Sequence, residues 1–183
     1  RALAADRIGW SLAQQRRVGG VTAVMFVDLD HFKRVNDSLG HAVGDRVLHW
    51  VGEQLKECLG AYAILGRMGG DEFTALFDSL PYPEQAGRYA ERLLERVSIS
   101  HEVDGLDVCL GVSIGIATYP DCGGTFEGLL RAADTAMYAA KHRGRNTWQN
   151  FTPELARQQH DRVQVEAQLR RALDNEEFRL VYQ

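Results

Sequence analysis

The sequence predicts an α/β sandwich: one mostly antiparallel sheet with helices packed around it. Three observations carry that expectation. The run Val21 to Val27 is almost continuously apolar, as a central strand covered on both faces should be. Two short strand patterns, "AYAIL" and "EFTALF", flank a Gly-Gly turn and read as a hairpin. Strand and helix patterns alternate in the order strand, helix, hairpin, helix, strands, helix, strand, so the first strand and the hairpin can lie side by side in one sheet.

Each element has its own signal. "ALAADRIGWSLAQQRR" places small and apolar residues at helical spacing, and Gly19-Gly20 ends it. The first strand ends in carboxylates, Asp28 and Asp30. Val43, Val47, Val51 and Leu55 then fall four apart, which predicts an amphipathic helix over 43–59 stopped by Gly60. After the hairpin, Pro81 and Pro83 break the chain, and Ala86, Tyr89, Ala90, Leu93, Leu94 and Val97 mark the next helix. "ISHEV" and the long β-branched run "VCLGVSIGIATY" are expected as two strands around Asp104-Gly105. Phe126, Leu129, Leu130, Ala133, Met137 and Ala140 predict a helix closed by Gly144. "NTWQNF" is expected as a final edge strand, and 152–175, rich in Gln, Arg and Glu, as a mostly solvated helix leading out of the domain.

The chain has 183 residues, 45% hydrophobic and 25% charged, which suits one compact domain with an appendage. Its net charge of -4 offers no basic face to neutralise phosphates, which argues against nucleic acid as a partner. Cys58, Cys109 and Cys122 are odd in number and lack CxxC spacing, as expected of reduced thiols in a cytoplasmic protein. No apolar run approaches the roughly 20 residues that cross a bilayer. The start at Arg1 and the strand-like ending "FRLVYQ" read as a fragment of a larger protein, whose membrane-attached or sensory parts would lie elsewhere.

"GRMGGDEFTALF" poses an electrostatic problem. Asp71 and Glu72 stand side by side at the mouth of a buried strand, and the neighbouring strand would bring Asp28 to the same edge, about 4.8 Å being the usual strand spacing. Carboxylates that close repel unless they share a proton or a cation. All-oxygen ligands favour Mg²⁺ or Mn²⁺, which bind through a few carboxylates plus substrate phosphates, and two such ions can flank a phosphoryl group during in-line displacement. The plainer alternative is that both segments are turns whose charges face water. The backbone N–H groups around His31 and Phe32, opening the helix after the first strand, offer an anion site. Lys141 and Arg145 are cations near a helix C-terminus, which the helix dipole also favours.

Taken together, "FVDLDHFKRVNDSLGHAVGDRVL", "RMGGDEF", "VSIGIA" and "AADTAMYAAKHRGRN" resemble, in order and spacing, the GGDEF family of diguanylate cyclases, which fuse two GTP into cyclic di-GMP. The resemblance covers Val21 to Asn146 and implies a palm-like fold related to nucleotide cyclases. It implies that Asp28, the carbonyl of Leu29, Asp71 and Glu72 hold Mg²⁺ or Mn²⁺, two ions per site. Asp71 and Glu72 are then the catalytic acids, with Glu72 either a further ligand or the group that helps deprotonate the attacking 3′-hydroxyl. Asn36 and Asp45 match the family's guanine-reading pair; a carboxylate accepts from the N1–H and exocyclic amine of guanine, and an amide reads the remaining edge. Read from residue type alone, the same two are turn and cap residues. His31, Phe32, Lys141 and Arg145 match its phosphate-binding positions, and Gly69 and Gly70 let backbone approach the nucleotide. Asp30 is expected only to brace its loop.

Two departures shape the expectation. Many cyclases carry an RxxD product-inhibition site before the glycines, whereas Gly60 to Ala63 here read "GAYA", so no such site is expected. The tail "EAQLRRALDNEEFRLVYQ" resembles the entry of an EAL phosphodiesterase domain, which degrades cyclic di-GMP. The expected organisation is a GGDEF domain over 1–150, a linker helix over 151–175 and the start of an EAL domain over 176–183. An adjacent EAL domain and a second copy of the domain are the expected partners, since each domain holds one GTP and catalysis needs two. A regulatory GTP-binding role and an inert interaction module are the rival readings; the latter would be expected to lose its carboxylates, and this chain keeps them.

Overall fold

A computed structural model describes residues 21–103, 105–175, 177–179 and 181. The expected N-terminal helix before Val21 lies outside these residues, as do Leu180, Tyr182 and Gln183 of the strand-like ending "FRLVYQ", whereas "NTWQNF" holds a strand as expected. Among the described residues the elements run β1 (Val21–Leu29), α1 (Phe32–Leu39), α2 (His41–Leu59), β2 (Ile64–Gly69), β3 (Glu72–Leu80), α3 (Glu84–Val97), β4 (His101–Val103), β5 (Leu106–Val108), β6 (Val112–Tyr119), α4 (Phe126–His142), β7 (Thr147–Asn150) and α5 (Pro153–Asp174).

The main sheet has the order β2-β3-β1-β6-β7, so the apolar first strand is central, as its composition requires. Every pairing is antiparallel except β6 with β7, which makes the sheet mixed but mostly antiparallel. Strand alternation sorts the side chains into two cores. Met25, Val27, Phe73, Phe77, Ile114 and Ile116 face α2 and α3, where Val47, Val51, Leu55, Ala90 and Leu93 complete the larger core. Val24, Phe26, Leu76 and Ala117 face α4, meeting Leu129, Ala133 and Met137. The expected α/β sandwich is therefore observed, with α5 packed on α4 rather than on the sheet. No described helix is long and apolar enough to cross a membrane.

Two expectations need correction. "AYAIL" is not strand throughout: the amides of Tyr62 and Ala63 bond back to Leu59 O, extending the end of α2 into a turn, and β2 begins at Ile64. "VCLGVSIGIATY" is not one strand but is interrupted at 109–111. Val108 ends β5, which pairs with β4 in a separate two-stranded sheet, and β6 starts at Val112. The Asp30 amide donates to Gly111 O at 2.9 Å, which continues the β1–β6 register by one residue, so the chain is committed to the main sheet from Gly111 on while 106–108 pairs with β4.

Candidate active site at the carboxylate edge of the sheet

The site is built where β1 and β3 end together. In the antiparallel register Asp28 stands opposite Glu72, so both side chains project from the α4 face. One step further on, the Leu29 amide bonds to Asp71 O at 3.3 Å. The turn before Asp71 passes through Gly69 (φ 155°) and Gly70 (φ 54°), and a side chain at Gly70 would carry strain. Arg67 grips this turn: Nε and Nη2 both donate to Gly70 O, at 3.0 and 2.7 Å. Its guanidinium lies 6.0 Å from the centre of the Phe73 ring. Sequence reading overlooked Arg67, whose role depends on the turn folding back three residues.

Asp28 is 6% exposed, and Lys141 Nζ on α4 sits 2.8 Å from its Oδ1. Burial pushes the Asp28 carboxyl above the ordinary carboxylate range; the hydrogen bond and charge of Lys141 pull it down, while Asp71 and Asp30 push it up again. The charge problem visible in the sequence is thus real in the fold, and a cation beside Asp28 relieves it. Asp71 and Glu72 are half-buried.

The donor set suits a hard divalent ion: Asp28 and Asp71 carboxylates and the Leu29 carbonyl are all oxygen donors. Among the described residues no three His, Cys, Asp or Glu side chains converge as a metal cluster, so Asp28, Asp71 and Glu72 share an edge without forming a three-carboxylate cage.

The phosphate and guanine candidates surround this edge. His31 adopts a left-handed conformation (φ 59°) at the start of α1, which directly follows β1 and which no side chain caps. Arg145 follows α4 in a loop whose residues Gly144, Arg145 and Asn146 all have positive φ. Asn36 lies on α1 and Asp45 on α2, which meet at a corner: an added Cβ on Gly44 would strike Asn36 Oδ1 and lie 3.0 Å from Asn36 Cγ and 3.2 Å from Phe32 Cζ. Both are helical rather than turn residues. Asp45 opens onto a groove of about 680 Å³ along α2 that also touches Gly60, Ala63 and Arg67.

Gly44→Ala tests this corner. The new methyl is expected to displace the flexible Asn36 amide and leave the fold intact, because α2 gains a better helix former. GTP affinity should fall while the far-UV spectrum and melting temperature stay near wild type. Undiminished GTP affinity would separate Asn36 from nucleotide reading.

A mostly antiparallel sheet covered by helices, whose central strand and neighbouring hairpin present carboxylates beside a lysine, makes this an α+β domain with a candidate site at one sheet edge. The comparisons make this specific: the family described as "Diguanylate cyclase, GGDEF domain" matches residues 1–147, and the chain belongs to that family. It is 38% identical over its whole length to the bifunctional diguanylate cyclase/cyclic di-GMP phosphodiesterase MucR of Pseudomonas aeruginosa, covering 27% of that protein. It is 38% identical over 88% of its length to the cyclic di-GMP phosphodiesterase NbdA of the same organism, covering 20% of it. The crystal structure of the GGDEF domain of YfiN (TpbB), also from P. aeruginosa, superposes with a TM-score of 0.80 at 35% identity, covering 83% of this chain and 95% of that one. The chain thus spans about a quarter of the length of these curated relatives.

Proposed function

We propose that this domain is a diguanylate cyclase that condenses two GTP into cyclic di-GMP across a homodimer. The observation that carries the reading is the register of Asp28 against Glu72, with Asp71 bonded to Leu29 and Lys141 against Asp28. In each half-reaction the 3′-oxygen of one GTP forms a bond to the α-phosphorus of the other, the bond to the pyrophosphate oxygen breaks, and pyrophosphate leaves. Asn36 and Asp45 hold the guanine, and the N–H groups at His31 and Phe32 hold the triphosphate together with Lys141 and Arg145. Gly69 and Gly70 keep the turn low enough for backbone to approach the nucleotide. Asp28, Asp71 and the Leu29 carbonyl would hold Mg²⁺ or Mn²⁺, two per site, which supply charge neutralisation at the phosphates. Glu72 either accepts the 3′-hydroxyl proton or adds a further ligand. One domain supplies half a site, so two must face antiparallel. The α5 helix is the linker toward an adjacent EAL domain.

A second reading, a GTP-binding domain that regulates an attached phosphodiesterase, is favoured by one finding: relatives at this level of identity include NbdA, named for phosphodiesterase alone. Isotope-labelled GTP with Mg²⁺ and the full-length protein separates the two. Labelled cyclic di-GMP or its linear product is expected for the cyclase; bound GTP without either product would establish the regulatory role instead.

The stretch Gly60 to Ala63 supports a further expectation. Its residues carry no charge with which to hold a phosphate, and Tyr62 is exposed and stacks on Tyr89. Added cyclic di-GMP is expected to leave the initial rate of synthesis unchanged at concentrations up to that of substrate. Tight inhibition would mean that another surface binds product.

A further inference from the structure

We infer that Asp30 is a positioning residue that couples the two sides of the phosphate cradle and sets the location of Arg145; this rests on Arg145 being a phosphate ligand. Asp30 is 5% exposed, a charge buried at the end of β1 that the reaction itself does not use. Its amide and both carboxylate oxygens are committed. Its amide donates to Gly111 O at 2.9 Å, Oδ1 accepts from Ser113 Oγ at 2.7 Å, and Oδ2 accepts from the Asn146 amide at 2.9 Å. From the segment that begins α1, these bonds reach 83 residues along the chain to β6 and 116 to the segment that follows α4. His31, on one side of Asp30 in sequence, contributes backbone to the anion site; Arg145, next to Asn146, contributes the cation.

The second observation is conformational. Arg145 (φ 63°) and Asn146 (φ 44°) are both left-handed, directly after Gly144 (φ 118°). An arginine in that region is disfavoured and persists only where its surroundings over-determine it. Asn146 is held at both ends, its amide by Asp30 and its Oδ1 by Ser98 Oγ at 2.8 Å and the Val112 amide at 3.4 Å. The buried carboxylate therefore fixes Asn146, and through it the strained residue that bears the cation. A charge-assisted bond from a buried acid to a backbone amide is among the stronger ways to hold such a loop.

The experiment measures equilibrium binding of GTP and of GMP, with Mg²⁺ present, to wild type, Asp30→Asn, Arg145→Ala and the double variant. Arg145→Ala alone tests the phosphate reading: it should weaken GTP at least about tenfold, about 1.4 kcal/mol, with little change in GMP. If it does not, that reading fails. Given that result, Asp30→Asn should produce the same selective loss for triphosphate and add little in the Arg145→Ala background. Equal loss of GTP and GMP, or a full additional factor in the double variant, would overturn the inference while leaving Arg145 as a ligand. Gly111→Ala approaches the same contact without altering the charge, since its Cβ would lie 2.9 Å from Asp30 Oδ2, and it serves if Asp30→Asn does not fold. Hydrogen exchange supplies an independent readout: the Asn146 amide should lose protection in either variant while the β1–β3 amides keep theirs. Retained protection at Asn146 would also overturn it.

Discussion

Replacing Asp71 by Asn together with Glu72 by Gln is expected to lower cyclic di-GMP formation by at least about 10³-fold, within the range that removal of an acid–base group and a charge-stabilising group produces. The fold should survive, because both side chains are half-buried, and the backbone bond from Leu29 to Asp71 O is untouched. The electrostatics even predict a small relief. Asp71 is one of the like charges that push the Asp28 carboxyl upward, after burial as the main cause and against Lys141. A carboxyl raised in the fold above its unfolded value of 3.8 binds its proton more tightly when folded, so it costs stability at neutral pH and returns it as pH falls through the raised value toward 3.8. Removing the Asp71 charge reduces that cost, and the melting temperature at neutral pH should therefore not fall. Product analysis with labelled GTP and a thermal melt of the same preparation check both statements. Activity near wild type would detach the reaction from this edge of the sheet.

How far the sequence foretold this site depended on how local each interaction is. β1 was legible because a strand buried on both faces must be apolar throughout, and α2 because Val43, Val47, Val51 and Leu55 repeat at helical spacing and are all buried. Asp71 and Glu72 were legible because two adjacent acids before an apolar strand are costly in any fold. The corrected boundaries share one feature: each is decided by pairing with residues outside the segment itself. Nothing in "VCLGVSIGIATY" announces that its first residue, Val108, pairs with His101 in a separate sheet, and nothing in "AYAIL" announces that its first residues continue hydrogen bonding to the end of α2. The same holds for Asp30 itself. As the second acid of "DLD" it is indistinguishable in sequence from Asp28, yet one pairs with Lys141 at the candidate site and the other is consumed by Ser113 and Asn146. Arg67 escaped notice because a charged residue within a short strand usually faces water.

Gly115→Ala is expected to be strongly destabilising. Gly115 lies in β6 between Phe26 of β1 and Gln149 of β7, on the face covered by α4. Its built Cβ would fall inside contact distance of Ala133 O and Met137 N, and 2.9 Å from Ala136 C. These are backbone atoms of the helix, so no rotamer change can clear them. The sheet-facing side of α4 is itself made of small residues, with Ala133, Ala136 and Ala140 fully buried, which is how the helix lies so close to the strand. Overpacking typically costs about 1–3 kcal/mol, and a clash with main chain belongs at the upper end. For a domain of this size that corresponds to a melting temperature lower by roughly 6–12 °C. The consequence for the site follows from geometry: lifting α4 withdraws Lys141 from Asp28 and disturbs the loop carrying Arg145, so nucleotide affinity should fall along with stability. Gly52→Ala provides the contrast on α2, where a Cβ meets nothing within 4 Å. It should stabilise by about 0.4–1 kcal/mol, as helix propensity alone dictates. If Gly115→Ala melts as Gly52→Ala does, then α4 does not rest on β6, and Lys141 loses the support that holds it at the carboxylate edge.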